Sequence, residues 1–217
     1  MTTRPPGTLQ SEYFDGLYER SPDPYGFTSR WYERRKYAVS AAMLPWPRYQ
    51  NAFEPGCSVG VLTAQLAPRC DALLACDGVA AAVTAAAART AGFPQVTVEQ
   101  RRLPGEWPES AGPGGQYDLI VFSELLYYLS DGDLARTIGL AVDALEPGGT
   151  LLAVHWRWPV PFHPQTGDEA HAAIAARPEL TLAADHREPD FLAQVFLRAG
   201  PGADPGAMWV AAAEGLT

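Results

Sequence analysis

Residues 51–60 read NAFEPGCSVG, a short apolar run from Asn51 to Glu54 that breaks into Glu54-Pro55-Gly56-Cys57-Ser58-Val59-Gly60 and continues as a helix-compatible stretch to about Ala67. The apolar run predicts a strand. Small residues in the strand-to-helix turn behind it let a ligand approach the backbone. A second apolar run, Ala72 to Cys76, leads into Asp77, 23 residues beyond Glu54. A carboxylate placed there can accept both hydrogen bonds of a ribose diol. A dinucleotide site would ask for Gly-x-Gly-x-x-Gly with phosphates on the helix N-terminus. Here the turn is Gly56-x-Ser58-x-Gly60, with Glu54 ahead of it, a group that repels phosphate and attracts an ammonium or sulfonium. The pattern suits an adenosine-containing ligand, although taken alone it serves equally well as a tight structural turn.

The same alternation extends along the chain. Helix Val79 to Ala91 and strand Gln95 to Glu99 follow; then come a loop from Arg101 to Gly115 and the apolar run Tyr117 to Phe122 (YDLIVF), a buried strand. A helix through Asp133 to Leu145 ends at Pro147-Gly148-Gly149, and Thr150 to His155 is the fifth strand. Parallel neighbours need a crossover, so this order predicts an α/β domain with a parallel sheet and helices on both faces. Beyond helix Gly167 to Arg177, the runs Leu180 to Arg187 and Phe191 to Arg198 are separated only by Glu188-Pro189-Asp190. That connection is too short for a crossover and predicts an antiparallel hairpin at the sheet edge. Upstream, Ser29 to Leu44 reads as a helix with Ser29 as N-cap and Pro45 as stop. Trp31, Tyr32, Ala38, Val39 and Ala42 fall on one face, with Arg35 in its middle, which invites an anionic partner. Residues 1–28 read as an arm with a short helix near Leu9 to Tyr18, residues 29–199 as the domain, and 200–217 as a tail.

With 217 residues, 47% of them hydrophobic, the chain can fold without disulfides or a structural metal. Sixteen Lys and Arg against 25 Asp and Glu give a net charge of −9, which disfavours a grip on phosphate backbones. The longest apolar stretch, Gly78 to Ala88, is too short for the roughly 18–20 residues of a membrane span, and Met1 to Gly7 lack the apolar segment of a signal peptide. A cytoplasmic protein, monomer or homodimer, without nucleic acid or membrane as partner is expected. Cys57, Cys70 and Cys76, odd in number and without Cys-x-x-Cys spacing, read as reduced thiols rather than metal ligands. His163, His171 and His186 have no metal-like spacing and read as loop or surface residues.

Glu54 to Gly60, Asp77, YDLIVFSELLYYL (117–129) and LEPGGTLLAVHW (145–156) together resemble the class I S-adenosylmethionine-dependent methyltransferases, over about residues 30–198. DPYGFTSRWYERRKYA (23–38), EPGCSVGVLTAQLAPRCDALLACD (54–77) and HREPDFL (186–192) narrow the likeness to the NodS-like group, whose type member N-methylates the free amine of a chitooligosaccharide's terminal glucosamine. The resemblance implies a Rossmann-like fold, a mostly parallel seven-stranded sheet with an antiparallel C-terminal hairpin. It implies S-adenosyl-L-methionine as cofactor, S-adenosyl-L-homocysteine as product, and a small amine or amino sugar as acceptor. O-methylation of a natural-product intermediate, or cofactor binding without turnover, are the alternatives.

Carried onto this sequence, the motif assigns Glu54, Gly56, Ser58 and Gly60 to the methionine end of the cofactor and Asp77 to its ribose. Ser58 replaces the usual middle glycine, a change tolerated if its hydroxyl caps the next helix. Where many class I enzymes place an acid after strand three, this chain has Gln100-Arg101-Arg102-Leu103-Pro104, leaving the adenine to backbone and Leu103. Tyr32 or Arg35 would meet the cofactor carboxylate, unless Arg35 merely snorkels from a packed helix. Ser123 would touch the cofactor near its reactive centre. Glu124 could accept a proton or hold an ammonium, or be a solvated helix-start glutamate. Tyr127 could orient the acceptor or simply pack, as could Tyr128. His155, on the ligand edge of the sheet, is a candidate base or substrate hydrogen-bonder. Trp156, Arg157 and Trp158 form an aromatic cluster beside the site or under a lid.

Overall fold

The sheet takes its shape from strands whose two faces are both apolar. The structure, a computed structural model, describes residues 7–109, 115–200 and 209–216. Helices α1 (Ser11–Arg20) and α2 (Trp31–Met43) precede β1 (Ala52–Pro55), α3 (Val61–Leu66), β2 (Leu73–Asp77), α4 (Ala80–Thr90) and β3 (Val96–Gln100). Then follow β4 (Tyr117–Ser123), α5 (Asp131–Ala144), β5 (Leu145–Trp156), α6 (Gly167–Ala175), β6 (Leu180–Arg187), β7 (Phe191–Arg198) and the short α7 (Val210–Ala213). In β4, Leu119 and Val121 join Leu62, Leu66 and Tyr37 on one face, while Ile120 and Phe122 join Leu134, Ile138 and Ile174 on the other. Burial on both faces is why YDLIVF has no alternation, as expected of a central parallel strand.

The seven strands run in the order β3-β2-β1-β4-β5-β7-β6, with the β5–β7 and β7–β6 pairs antiparallel and the rest parallel. The chain winds outward from β1 toward β3 and, after β3, returns to β4 on the other side. The switch point therefore lies between β1 and β4, where the carboxyl ends of the strands open a crevice for ligands.

Three expectations need correction. Ser29 caps nothing: α2 has Arg30 at its N-cap without a side-chain bond, and Ser29 instead donates its N–H to Gly26. The face of α2 read as buried is largely the outer one. Trp31 is 68% exposed, while Glu33, Lys36, Tyr37 and Ser40 are buried at helical spacing. Finally, Pro147-Gly148-Gly149 does not separate α5 from a strand beginning at Thr150. Leu145 already pairs with Tyr117, and the ladder resumes at Leu119 with Thr150, so the intervening residues bulge out of β5. Gly148, at φ +85°, supplies the turn.

Candidate functional site

Glu54, Asp77 and Ser123 stand at the carboxyl ends of β1, β2 and β4 and border one cavity of about 640 Å³ between the sheet, α2 and residues 8–27. Glu54 is 2% exposed, and its Oε2 has no hydrogen-bond partner. Burial, opposed by the nearby Thr63 hydroxyl and reinforced by Asp77, pushes its carboxyl up to about 8. Asp77 accepts the N–H groups of Ser58 and Val79, each at 2.9 Å and each on a different oxygen. Burial raises it too, although these backbone bonds pull the other way. Each carboxylate oxygen has more than one lone-pair site, so both remain able to accept a further hydrogen bond from the cavity.

The turn supplies backbone rather than side chains. Gly56 has φ +75° and its N–H bonds Cys76 at 2.7 Å. Ser58, at φ +50°, does not cap α3: its Oγ lies 2.5 Å from the Tyr18 hydroxyl, tying the arm to the turn. Gly60, the N-cap of α3, lies outside the cavity lining and serves packing. A Cβ there would come within 2.9 Å of Ala86 Cα on α4, at a backbone φ of +75°. Gly60→Ala should therefore lose about 1–3 kcal/mol to overpacking and about 1–2 to the left-handed backbone. A urea unfolding midpoint unchanged from wild type would refute this.

Leu103, Tyr32, Glu124 and Tyr127 border the same cavity. Glu124, at φ +55°, directs both carboxylate oxygens into contacts. Oε1 takes Lys36 Nζ at 2.5 Å; Oε2 accepts the Tyr127 hydroxyl at 2.5 Å and the Trp156 N–H at 2.9 Å. It is no solvated helix-start residue. Lys36, 1% exposed, also lies 2.9 Å from Glu33 Oε2, and its ammonium sits 5.0 Å from the Tyr32 ring centroid. Burial alone would lower the ammonium; Glu124 and Glu33 outweigh it and hold Lys36 above its ordinary value. Neither Lys36 nor Glu33 is legible in the sequence, because charged residues inside a helical stripe do not look like a buried face.

Two further candidates stand elsewhere, as Gly60 does. Arg35 is outside the cavity lining: its guanidinium makes a bidentate pair with Glu188 in the β6–β7 turn at 2.6 and 2.8 Å. His155 is fully buried beneath the site, where its Nε2 accepts the Leu126 N–H and its Nδ1 meets His171 Nε2 at 3.0 Å. Burial, with His171 and Lys36 nearby, lowers it well below the ordinary histidine range. His171 in turn bonds Gln194, so neither it nor the 9% exposed His163, stacked on Tyr127, is a surface residue. All three cysteines are free and buried.

The arm closes one wall. Leu9 donates its N–H to Tyr128, Phe14 packs edge-on against Tyr128 at 4.9 Å, and Tyr13 lies 5.5 Å from Phe162. Trp156 meets Tyr32 edge-on at 5.5 Å.

This strand order, with a glycine turn after β1 and an acid after β2, is that of a class I methyltransferase fold. A family profile described as a methyltransferase domain matches residues 53–151. A solved structure of a candidate methyltransferase from Pseudomonas syringae is 48% identical, covers 78% of this chain and 100% of its own, and superposes with a TM-score of 0.68. Nodulation protein S of Rhizobium tropici is 31% identical over 138 residues, a match spanning 60% of this chain but only 53% of that protein. The N-methyltransferase NodS from Bradyrhizobium japonicum WM9, solved with S-adenosyl-L-homocysteine, is 23% identical, covers 86% of this chain and 98% of its own, and has a TM-score of 0.72. The chain belongs to the methyltransferase family, and within it is similar to nodulation protein S over the matched 138 residues. Among the described residues no helix is long and apolar enough to cross a membrane.

Proposed function

We propose that the chain transfers a methyl group from S-adenosylmethionine to the nitrogen of a small polar amine, an amino sugar being the first acceptor to test. The observation that carries this reading is the buried Glu54 carboxylate with one unpartnered oxygen at the switch point of the sheet. Such a group is unfavourable until a cation or donor reaches it, and the methionine end of the cofactor brings both. When bound, S-adenosylmethionine supplies an electrophilic methyl group on a sulfonium.

The chain's own residues bind and orient. Glu54 balances the positive methionine end, Asp77 receives the ribose diol, Leu103 packs on the adenine, and the open backbone at Gly56 and Ser58 admits the ligand. Tyr18, Tyr13 and Phe14 on the arm help exclude water from the reacting atoms, which favours displacement at carbon. Glu33 and Glu124 place two carboxyl groups on the acceptor side of the cavity, which suits a cationic amine better than a neutral alcohol. The aromatic lining from Tyr25, Tyr128 and Phe162 is the feature in favour of the second reading, O-methylation of an apolar acceptor.

Calorimetric titration with S-adenosylmethionine and S-adenosylhomocysteine, then mass-spectrometric screening of amino sugars and small amines, tests the proposal. Micromolar binding with a 14-dalton gain on an amine is the expected result. Gain on a hydroxyl acceptor alone selects O-methylation, binding without product selects a non-catalytic binder, and absence of binding overturns the cofactor assignment. Asp77→Ala should weaken binding about tenfold or more, through one or two lost hydrogen bonds of about 1–1.5 kcal/mol each; unchanged affinity would remove the ribose role.

A further inference from the structure

We propose that Glu33, on the inward face of α2, is the docking group for a protonated amine acceptor and the base that takes its proton; this rests on the N-methyl transfer proposed above. Glu33 is 6% exposed and borders the cavity. Its Oε2 lies 2.9 Å from Lys36 Nζ but makes no hydrogen bond, while Lys36 meets Glu124 Oε1 at the shorter distance of 2.5 Å. Two buried carboxyl groups thus flank one ammonium beside a cavity, and Glu33 keeps an oxygen without a hydrogen-bond donor. A buried charge without its partner is strongly unfavourable, so the arrangement favours a ligand that carries a second positive charge.

Two further observations point to the same ligand. The Tyr32 hydroxyl is buried, borders this cavity and has no hydrogen-bond partner. An ammonium offers three donors, enough for Glu33 and for the Tyr32 oxygen, whereas an alcohol offers one donor and no charge. The second observation concerns Glu124, which is already saturated: Lys36 holds one oxygen, and Tyr127 and the Trp156 backbone hold the other. The carboxyl group with an oxygen left for a ligand is therefore Glu33.

In the step assigned to it, an N–H bond of the ammonium breaks and an O–H bond forms on Glu33. The electron pair stays on nitrogen as the lone pair a nucleophile needs, and the proton passes to water once the site opens. Burial raises the Glu33 carboxyl above its ordinary range; Lys36 and Tyr37 oppose this and Glu124 adds to it. Glu54 and Asp190 also border the cavity.

The test uses the full chain saturated with S-adenosylhomocysteine and two probes of matched shape, n-butylamine and 1-butanol, titrated at pH 7 by ligand-observed NMR. Wild type should bind the amine at least tenfold tighter than the alcohol. Glu33→Gln should remove most of that preference while leaving affinity for the alcohol and for S-adenosylhomocysteine within twofold. Tyr32→Phe, which changes no charge, should weaken the amine severalfold and serves as the second variant if Glu33→Gln folds poorly. Equal binding of the two probes by wild type, or a preference that survives Glu33→Gln, overturns the docking role. Failure to bind S-adenosylhomocysteine overturns instead the cofactor reading beneath it. With the acceptor from the mass-spectrometric screen in hand, Glu33→Gln should also move the rise of kcat with pH upward, toward the amine's own ionisation. An unmoved profile overturns the base role.

Discussion

Lys36→Met should destabilise the protein by about 3–5 kcal/mol at neutral pH, the range for stripping one partner from a buried ion cluster. Lys36 is 1% exposed, and its removal leaves Glu33 and Glu124 facing each other without a cation. The sign with pH follows from proton linkage. In the variant, Glu33, already raised by burial and by Glu124, loses the ammonium that opposes that rise, so the folded state binds more protons than the unfolded one. Its stability should therefore recover on acidification through the carboxylate range and fall again as pH rises. Urea denaturation of wild type and variant between pH 5 and 8 reads this as a gap in unfolding free energy that narrows on the acid side. Adding Glu33→Gln and Glu124→Gln should restore much of the loss, since neutral residues need no counterion. A gap that is constant with pH would mean that lost packing of the lysine stem, rather than its charge, is responsible.

That cluster also marks where the sequence was hardest to read. The α/β order, the C-terminal hairpin and the positions of Glu54 and Asp77 at strand ends follow from local signals: apolar runs of strand length, breakers between them, and a connection too short for a crossover. Helix α2 gives no such signal. Its buried stripe is Glu33, Lys36, Tyr37 and Ser40, polar at three of four positions, while Trp31 points outward. A periodicity argument assumes that burial tracks hydrophobicity, and it fails where the buried face lines a polar site. Arg35, one position from Lys36, drew attention instead, yet its partner Glu188 is 153 residues away and belongs to a turn that only the folded sheet brings alongside. The place of His155 at the end of β5 is legible, but strand position alone does not show that α6 and β7 seal it from the cavity with His171 and Gln194. The bulge at Gly148 is illegible for a related reason: Pro-Gly-Gly is a breaker in either setting, and only the pairing of Leu145 with Tyr117 shows that the strand continues through it.

Glu54 yields the sharpest solution test of the proposed function: binding of S-adenosylmethionine at pH 7 should release close to one proton. With its carboxyl at about 8 in the ligand-free protein, Glu54 is mostly protonated at neutral pH. A cationic ligand favours the ionised carboxylate and draws its ionisation back down, so the proton leaves as the ligand arrives. Affinity should accordingly rise with pH from 6 to about 8 and then level, because above that point Glu54 is ionised before binding. Calorimetry in phosphate and in Tris, whose ionisation enthalpies differ, counts the proton directly. Glu54→Gln keeps the shape but has no proton to give. Losing a charged hydrogen bond of about 1.5–3 kcal/mol should weaken binding roughly 10- to 150-fold and flatten its pH dependence. Asp77 is the second buried acid at this site and is also raised by burial, so the variant separates the two. A proton count that persists in Glu54→Gln assigns the released proton to Asp77, while a wild type that releases none has no cation meeting Glu54 and loses the observation on which the methionine end was placed.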